Sequence, residues 1–223
     1  MILSADIAGE AKVGKSHFGL TAPDPIVVFD FDQGIQKLLP KFKDKDIKVI
    51  PIVMDVWGKE KVSPLWDEFY RKYKDVLESD CKTIMMDTAT QLWEILRLAH
   101  FERVQKESKI VRIRLQPVEY AEANSLMRAI IAAAKAHGKN LVLTHYVRDV
   151  YDDSGRKTGE KEADQFRHTP GLCDLSLKFT AKRKKGGKGE DTQVLIERCR
   201  DDRELVGEIL TNPTWDTIRG LLE

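Results

Sequence analysis

The sequence predicts an α/β domain of the P-loop class, with a mainly parallel central sheet flanked by helices and a β-hairpin towards its carboxyl end. Three observations carry this prediction. Gly9-Glu10-Ala11-Lys12-Val13-Gly14-Lys15-Ser16 is a complete GxxxxGK[ST] loop. The apolar run at residues 2–7 precedes it and a short helical stretch at 16–20 follows, stopped by Pro23. That is the strand, loop and helix the motif requires. Beyond it, apolar runs alternate with amphipathic stretches, as in parallel strands joined by helices.

Taken in order, Ile26, Val27, Val28 and Phe29 make a buried-strand run. Residues 48–54 make another, with Pro51 suiting an edge or a bulge. Ser63-Pro64 opens a helix that puts Leu65, Phe69, Tyr73 and Val76 on one face. Residues 82–87 are a short strand ending in Asp87, followed by a helix carrying Leu92, Ile95, Leu96 and Ala99. Residues 107–117 are basic and irregular, and 118–137 are helical, closed by Gly138 as a left-handed cap. Residues 141–144 are the next strand. The charged segment 146–170 has little apolar periodicity and reads as a long, mobile functional loop. Cys173, Leu175, Leu177 and Phe179 then alternate with polar residues, 182–189 turn, and 192–200 return as a strand. Asn212-Pro213 starts a last helix through Trp215, Ile218 and Leu222. With no internal repeat and no boundary, residues 1–223 are expected to be one domain.

A chain of 223 residues suits one such domain and is too short for two large ones. A formal charge of +1 supplies no global field, so any polyanion site must be local. Cys81, Cys173 and Cys199 lack metal spacing and fit a reduced intracellular thiol set. No apolar run approaches a membrane span, and the chain opens in a strand without a signal peptide. A soluble cytoplasmic protein with no membrane partner is the expectation.

The loop dictates its own chemistry. Gly9 and Gly14 let the backbone curl so that successive N–H groups point at phosphate oxygens. Lys15 brings charge to the β- and γ-phosphates, and Ser16 offers a hydroxyl to Mg²⁺. The helix beginning at Ser16-His17 turns its positive end to the same anion. ATP and Mg²⁺ are the expected ligands, with residues 9–17 as the cradle. No [NT]KxD guanine-reading motif is present, which disfavours a GTPase.

The metal needs an acid as well, and Asp87 at a strand end has that character. A helix N-cap is the plainer role open to it. Thr88 stands where many ATPases carry a glutamate base, so the water-activating carboxylate must come from another strand end. Asp30 and Asp32 follow the 26–29 strand, and alternation puts them on the same side. Asp32, further out, is the choice for orienting or deprotonating the water; an acidic turn before Gly34 is the alternative. His145 ends the 141–144 strand, where a polar group can touch the γ-phosphate and report its loss to the segment beginning at Tyr146. The expected catalytic set is Lys15, Asp32, Asp87 and His145.

The series GEAKVGKS, VVFDFDQG, TIMMDTATQLWE and LVLTHYVRDVYDD, then a hairpin and LVGEILTNPTWDTI, resembles the phage-encoded, single-domain RecA-like ATPases of single-strand annealing and homologous recombination. The resemblance spans nearly the whole chain. It implies a RecA-like core whose ATPase acts on single-stranded DNA in the host cytoplasm. By this likeness Asp32 matches the family's catalytic acid, usually a glutamate, and the shorter arm implies slow hydrolysis or a different water position. Asp87 matches the Walker B acid, His145 the polar sensor, and 146–170 a DNA-contacting loop. The likeness also implies a basic finger from a neighbouring subunit. Arg198 and Arg200 are its candidates, with a salt bridge to Asp201 or Asp202 as the alternative.

Lys182-Arg183-Lys184-Lys185-Gly186-Gly187-Lys188 is the densest positive charge in the chain, fit to clamp a nucleic-acid backbone or to be a solvated turn. Arg148 joins that set, and base stacking would fall to Tyr146 or Tyr151. A second basic stretch, 109–114, has the same ambiguity. A second copy of the chain and a single-strand-binding protein are candidate partners, although the chain opens at its first core strand, without the extension by which many RecA-like proteins polymerise. Two rivals stand beside this reading. One is a small-molecule kinase with Arg148, Arg156 and Arg167 on a lid; the other is a nucleotide-gated, protein-gripping switch or motor accessory.

Overall fold

Among the described residues one nine-stranded sheet forms around short apolar runs at 4–9, 26–30, 83–87 and 140–145 that are buried on both faces. The strands are β1 (Ser4–Gly9), β2 (Ile26–Asp30), β3 (Ile47–Pro51), β4 (Thr83–Asp87), β5 (Asn140–Tyr151), β6 (Lys157–Asp164), β7 (Leu175–Arg183), β8 (Glu190–Cys199) and β9 (Ile209–Thr211). The helices are α1 (Lys15–Gly19), α2 (Val62–Leu77), α3 (Ala89–Glu107), α4 (Tyr120–Ala136), α5 (Thr169–Leu172) and α6 (Trp215–Leu222). The computed structural model describes residues 1–53, 61–108, 114–184 and 188–223. Met54, residues 109–113 of the second basic stretch, and Lys185 with its two following glycines lie outside the described residues.

The strand order is β3-β2-β4-β5-β1-β7-β8-β9, with β6 paired to the outer part of β5. Strands β1 to β5 and β7 pair in parallel, and the β5–β6, β7–β8 and β8–β9 pairs are antiparallel. The sheet is therefore mixed and mainly parallel, flanked by helices, as the sequence predicts. β3, with Pro51, is an edge strand. β5 lies between β1, which leads into the phosphate loop, and β4, which ends in Asp87.

Alternation divides the side chains between two cores. Ala5, Ile7, Val28, Met85 and Val142 pack on the face of α1 and α6, with Phe18 and Trp215. Phe29, Ile84, Met86, Leu141 and Leu143 pack on the opposite face, against Phe69 and Tyr73 of α2, Ile95 of α3 and Met127 of α4. No helix among the described residues is long and apolar enough to cross a membrane.

The segment 146–170 departs from the expected loop. β5 runs on from its last pairing with β1 (Ala8 opposite His145) to Tyr151, and β6 returns beside it. The resulting ribbon carries cross-strand pairs such as Arg148–Glu162 and Lys157–Asp149. Backbone pairing rather than core burial defines it, so it has no apolar period to read. The second hairpin was legible. β7 passes Gly9, which pairs with Phe179, and continues to Arg183 before β8 returns.

The carboxyl-terminal helix is capped by Thr214, in a reciprocal capping box with Thr217, and not by Asn212. Asn212 instead accepts the Thr192 N–H and donates to Asp191, fastening this segment to β8. Trp215 donates its N–H to Thr21 at 2.8 Å and packs against Phe18 at 6.0 Å. Trp215 is 2% exposed, so Trp215→Ala is expected to cost about 3–5 kcal/mol. The denaturant unfolding midpoint reads this directly, and a loss below about 1 kcal/mol would mean the α6 contact contributes little.

Candidate nucleotide and metal site

The phosphate loop is wedged between β1 and the second hairpin. A Cβ on Gly9 would lie 2.6 Å from the Phe179 carbonyl oxygen. Gly14 has φ +103°, and a Cβ there would lie 2.7 Å from Thr192 Oγ1, so only glycine fits both positions. Thr192 also donates to the Val13 carbonyl at 3.0 Å. Val13 is buried, whereas Glu10, Ala11 and Lys12 are exposed. Lys15 donates to the carbonyls of Gly9 at 2.8 Å and Glu10 at 2.6 Å, so the loop closes on its own ammonium. Burial lowers the Lys15 pKa, while Asp87, Asp32 and Glu10 oppose that shift. His17 leaves the cradle and packs on Phe42 at 5.0 Å.

Opposite the loop stand three carboxylates. Asp30 and Asp87 are register partners at the ends of β2 and β4. Ser16 Oγ donates to Asp87 Oδ2 at 2.8 Å, and the Thr144 hydroxyl donates to Oδ1. Burial pushes Asp87 up to about 6, against the pull of those two hydrogen bonds. Asp30 is raised as well, first by burial, although it accepts the Gly34 and Ile35 N–H groups at 3.2 and 3.3 Å. Asp32 is exposed; it accepts the Gly34 N–H at 3.1 Å and the Tyr146 hydroxyl at 2.8 Å. One oxygen from each of Asp30, Asp32 and Asp87 lies within 4.8 Å of the others. Asp87 and the Ser16 hydroxyl, hydrogen-bonded to each other beside this cluster, offer hard oxygens of the kind Mg²⁺ takes. The cap of α3 is Thr88, which accepts the Gln91 N–H at 3.4 Å, so Asp87 is not the N-cap.

His145 is not where a γ-phosphate sensor would sit. Leu141, Leu143 and His145 share one face of β5, and Thr144 and Tyr146 share the other, with Asp87. His145 is fully buried behind the sheet, its Nε2 3.3 Å from Asp6 Oδ1 without a well-formed hydrogen bond. Ser176 donates to Asp6 Oδ2 at 3.3 Å, and Gln165, with its amide turned to donate, reaches Oδ1 at 2.9 Å. Desolvation, helped by the Lys15 charge, lowers His145 to about 3, and desolvation raises Asp6 to about 7. The residues that sequence reasoning missed are Thr144, and Tyr146 as an active-site group. Counting parity from Asp87 across β4 and β5 would have found both.

The expected finger residues separate. Arg200 holds Asp174 at 3.0 Å and three carbonyls, those of Gly171, Leu172 and Cys173. Asp174 in turn binds Ser4 at the start of β1, so Arg200 is a structural tie at the sheet end opposite Gly9. Its partner is Asp174 rather than Asp201 or Asp202. Arg198 is exposed, opposite Ser176, where its charge reaches Asp6. Arg148 is engaged by Glu162 at 2.9 Å.

The two hairpins differ in charge. Residues 146–164 carry four basic and six acidic side chains, whereas 182–191 carry five basic and two acidic ones. Lys182, Arg183, Lys184 and Lys188 belong to the second, in which Lys184 pairs with Asp191 at 3.5 Å. β7 extends four residues past the level of Gly9, about 13 Å at strand spacing. The basic tip thus rises beyond the phosphate loop.

A family profile described as an AAA domain matches residues 3–213. No curated protein matches the chain.

The Asp6–His145 pair yields a signed pH test. Asp6, raised to about 7, binds more protons folded than unfolded, so its share of stability falls as pH rises from 3.8 to 7. His145, lowered from 6.5 to about 3, binds fewer protons folded, so its share rises with pH across that range. The two offset each other between about pH 4 and 6.5. Because burial also raises Asp87 and Asp30, each variant is read against the wild type: Asp6→Asn should make the slope of stability with pH more positive across this window, and His145→Gln should make it more negative, each by at most about 1.4 kcal/mol per pH unit. Urea unfolding of the wild type and both variants at the two ends of the window measures these changes in slope, and changes of the same sign would contradict the assignment.

Proposed function

We propose that this chain, which belongs to the AAA-domain family of P-loop ATPases, couples Mg·ATP hydrolysis to a grip on single-stranded DNA in phage-type recombination or annealing. The supporting observation for the ATPase is the Ser16–Asp87 hydrogen bond at 2.8 Å, beside the buried Lys15 and the register-paired Asp30. In this reading the N–H groups of residues 9–16 and Lys15 cradle the phosphates. Ser16 and Asp87 would hold a Mg²⁺ ion, which when bound would neutralise phosphate charge. Asp32 orients the attacking water and accepts its proton as the bond from Pγ to the bridging oxygen breaks and ADP leaves.

The DNA part of the reading rests on the second hairpin. Its tip has a net charge of +3 over 182–191, and its Thr192 holds the Val13 carbonyl of the phosphate loop. A basic arm braced on that loop suits a polyanion whose grip follows nucleotide state. The recombination role, a host-cytoplasm setting and a single-strand-binding protein partner rest on the resemblance of the motif series to the phage-encoded RecA-like ATPases.

A second reading is a nucleotide-gated, protein-gripping switch. The net charge of −2 over residues 146–164 favours a basic protein surface on that hairpin.

Lys15→Ala is expected to weaken ATP binding by about 10- to 100-fold, the worth of a charged hydrogen-bonding group, read by titration with a fluorescent ATP analogue. Steady-state hydrolysis should rise with single-stranded DNA and the stimulation should fade as salt increases. Lys182→Glu with Lys184→Glu should remove that stimulation and leave basal turnover in place. A DNA-independent rate that is insensitive to these charges would move the assignment to the switch.

A further inference from the structure

We propose that Tyr146 is the positioning residue that aims Asp32 and links the nucleotide site to the β5–β6 hairpin. The inference rests on the reading of Asp32 as the water-orienting acid. Tyr146 is the first residue of β5 beyond its pairing with β1, and it shares the face of Thr144 and Asp87. Its hydroxyl donates to Asp32 Oδ2 at 2.8 Å, while Oδ1 accepts the Gly34 N–H at 3.1 Å. An exposed aspartate is thereby held at both oxygens, in one rotamer instead of several. Burial, then the bond to Asp32, raise the Tyr146 pKa above its ordinary value, so the hydroxyl stays a donor throughout the physiological range.

The same ring meets the phosphate-binding lysine. Lys15 Nζ lies 5.8 Å from the Tyr146 ring centroid, within cation–π range. An ammonium drawn from the Gly9 and Glu10 carbonyls towards a γ-phosphate would change its distance to this ring. The backbone of Tyr146 connects that contact to the hairpin root. The Tyr146 N–H donates to Thr90 Oγ1 at 3.1 Å, and the Thr90 hydroxyl donates to the Asp164 carbonyl, directly across the ribbon. Thr90 stands three residues after Asp87 in the chain. Further out, Lys161 of β6 pairs with Glu10 of the phosphate loop. Two side-chain contacts at Tyr146, one hydroxyl clamp and one ion pair therefore tie the hairpin to the P-loop, the water-side acid and the metal-side strand.

The test combines kinetics with exchange. Tyr146→Phe keeps the ring and removes the donor, so kcat should fall about 10- to 100-fold with KM and ATP affinity within about twofold. Because the hydroxyl acts through Asp32, Tyr146→Phe in an Asp32→Asn background should cost nothing more. A merely structural tyrosine would raise the dissociation constant, lower the melting temperature and multiply with Asp32→Asn. Wild-type kcat in Tyr146→Phe, or losses that multiply in the double variant, would overturn the proposal. Wild-type kcat in Asp32→Asn would instead refute the Asp32 reading beneath it. Independently of turnover, amide exchange across 157–164 should change when a non-hydrolysable ATP analogue with Mg²⁺ binds, and Tyr146→Leu should diminish that change, the Thr90 clamp and the Lys161–Glu10 pair remaining. Exchange indifferent to nucleotide in the wild type would overturn the link to the hairpin.

Discussion

The curl of residues 9–14 is the constraint around which the other parts are fitted. It can form only because Gly9 passes under the Phe179 carbonyl and Gly14 takes a left-handed φ against Thr192. Both contacts come from the hairpin of β7 and β8, and neither leaves room for a Cβ. The loop is consequently a three-sided arrangement, with β1 feeding it, α1 leaving it and a distant part of the chain bracing it. Asn212 extends the brace through Thr192 and Asp191, and Trp215 closes the circuit by packing on Phe18 of α1. Loop geometry and carboxyl-terminal packing are thus one mechanical unit.

Strand order supplies the chemistry. Placing β5 between β1 and β4 brings Thr144 onto Asp87 and Tyr146 onto Asp32, and turns His145 to the rear with Asp6. The same insertion sends β5 and β7, the two neighbours of β1, past the loop as hairpins. Their opposite charges, −2 over 146–164 and +3 over 182–191, flank the phosphate loop on either side. Electrostatics of this kind sorts partners by face rather than by net charge, which for the whole chain is only +1.

The parts of this arrangement written in local residues were legible beforehand. Strand β1 and the loop follow from GxxxxGK[ST], β3 takes the first of the two places that suit Pro51, an edge rather than a bulge, and the placing of Asp30 and Asp32 on one side follows from alternation. The β7–β8 hairpin was visible because Leu175, Leu177 and Phe179 bury one face. The β5–β6 ribbon was not, because its stability lies in backbone pairing and cross-strand ion pairs such as Arg148–Glu162. His145 was misjudged for a related reason. A residue at a strand end has two faces to choose from, and the choice depends on register with β1 and β4, which are far away in sequence. Arg200 likewise found Asp174, a partner whose proximity only the folded sheet creates.

The most direct measurement is a crystal structure with Mg²⁺ and a non-hydrolysable ATP analogue. The triphosphate is expected against the N–H groups of residues 9–16, with Lys15 moved from the Gly9 and Glu10 carbonyls onto it. The metal should sit between Ser16 and Asp87. A nucleotide bound away from the loop, or a metal that ignores both Ser16 and Asp87, would contradict it.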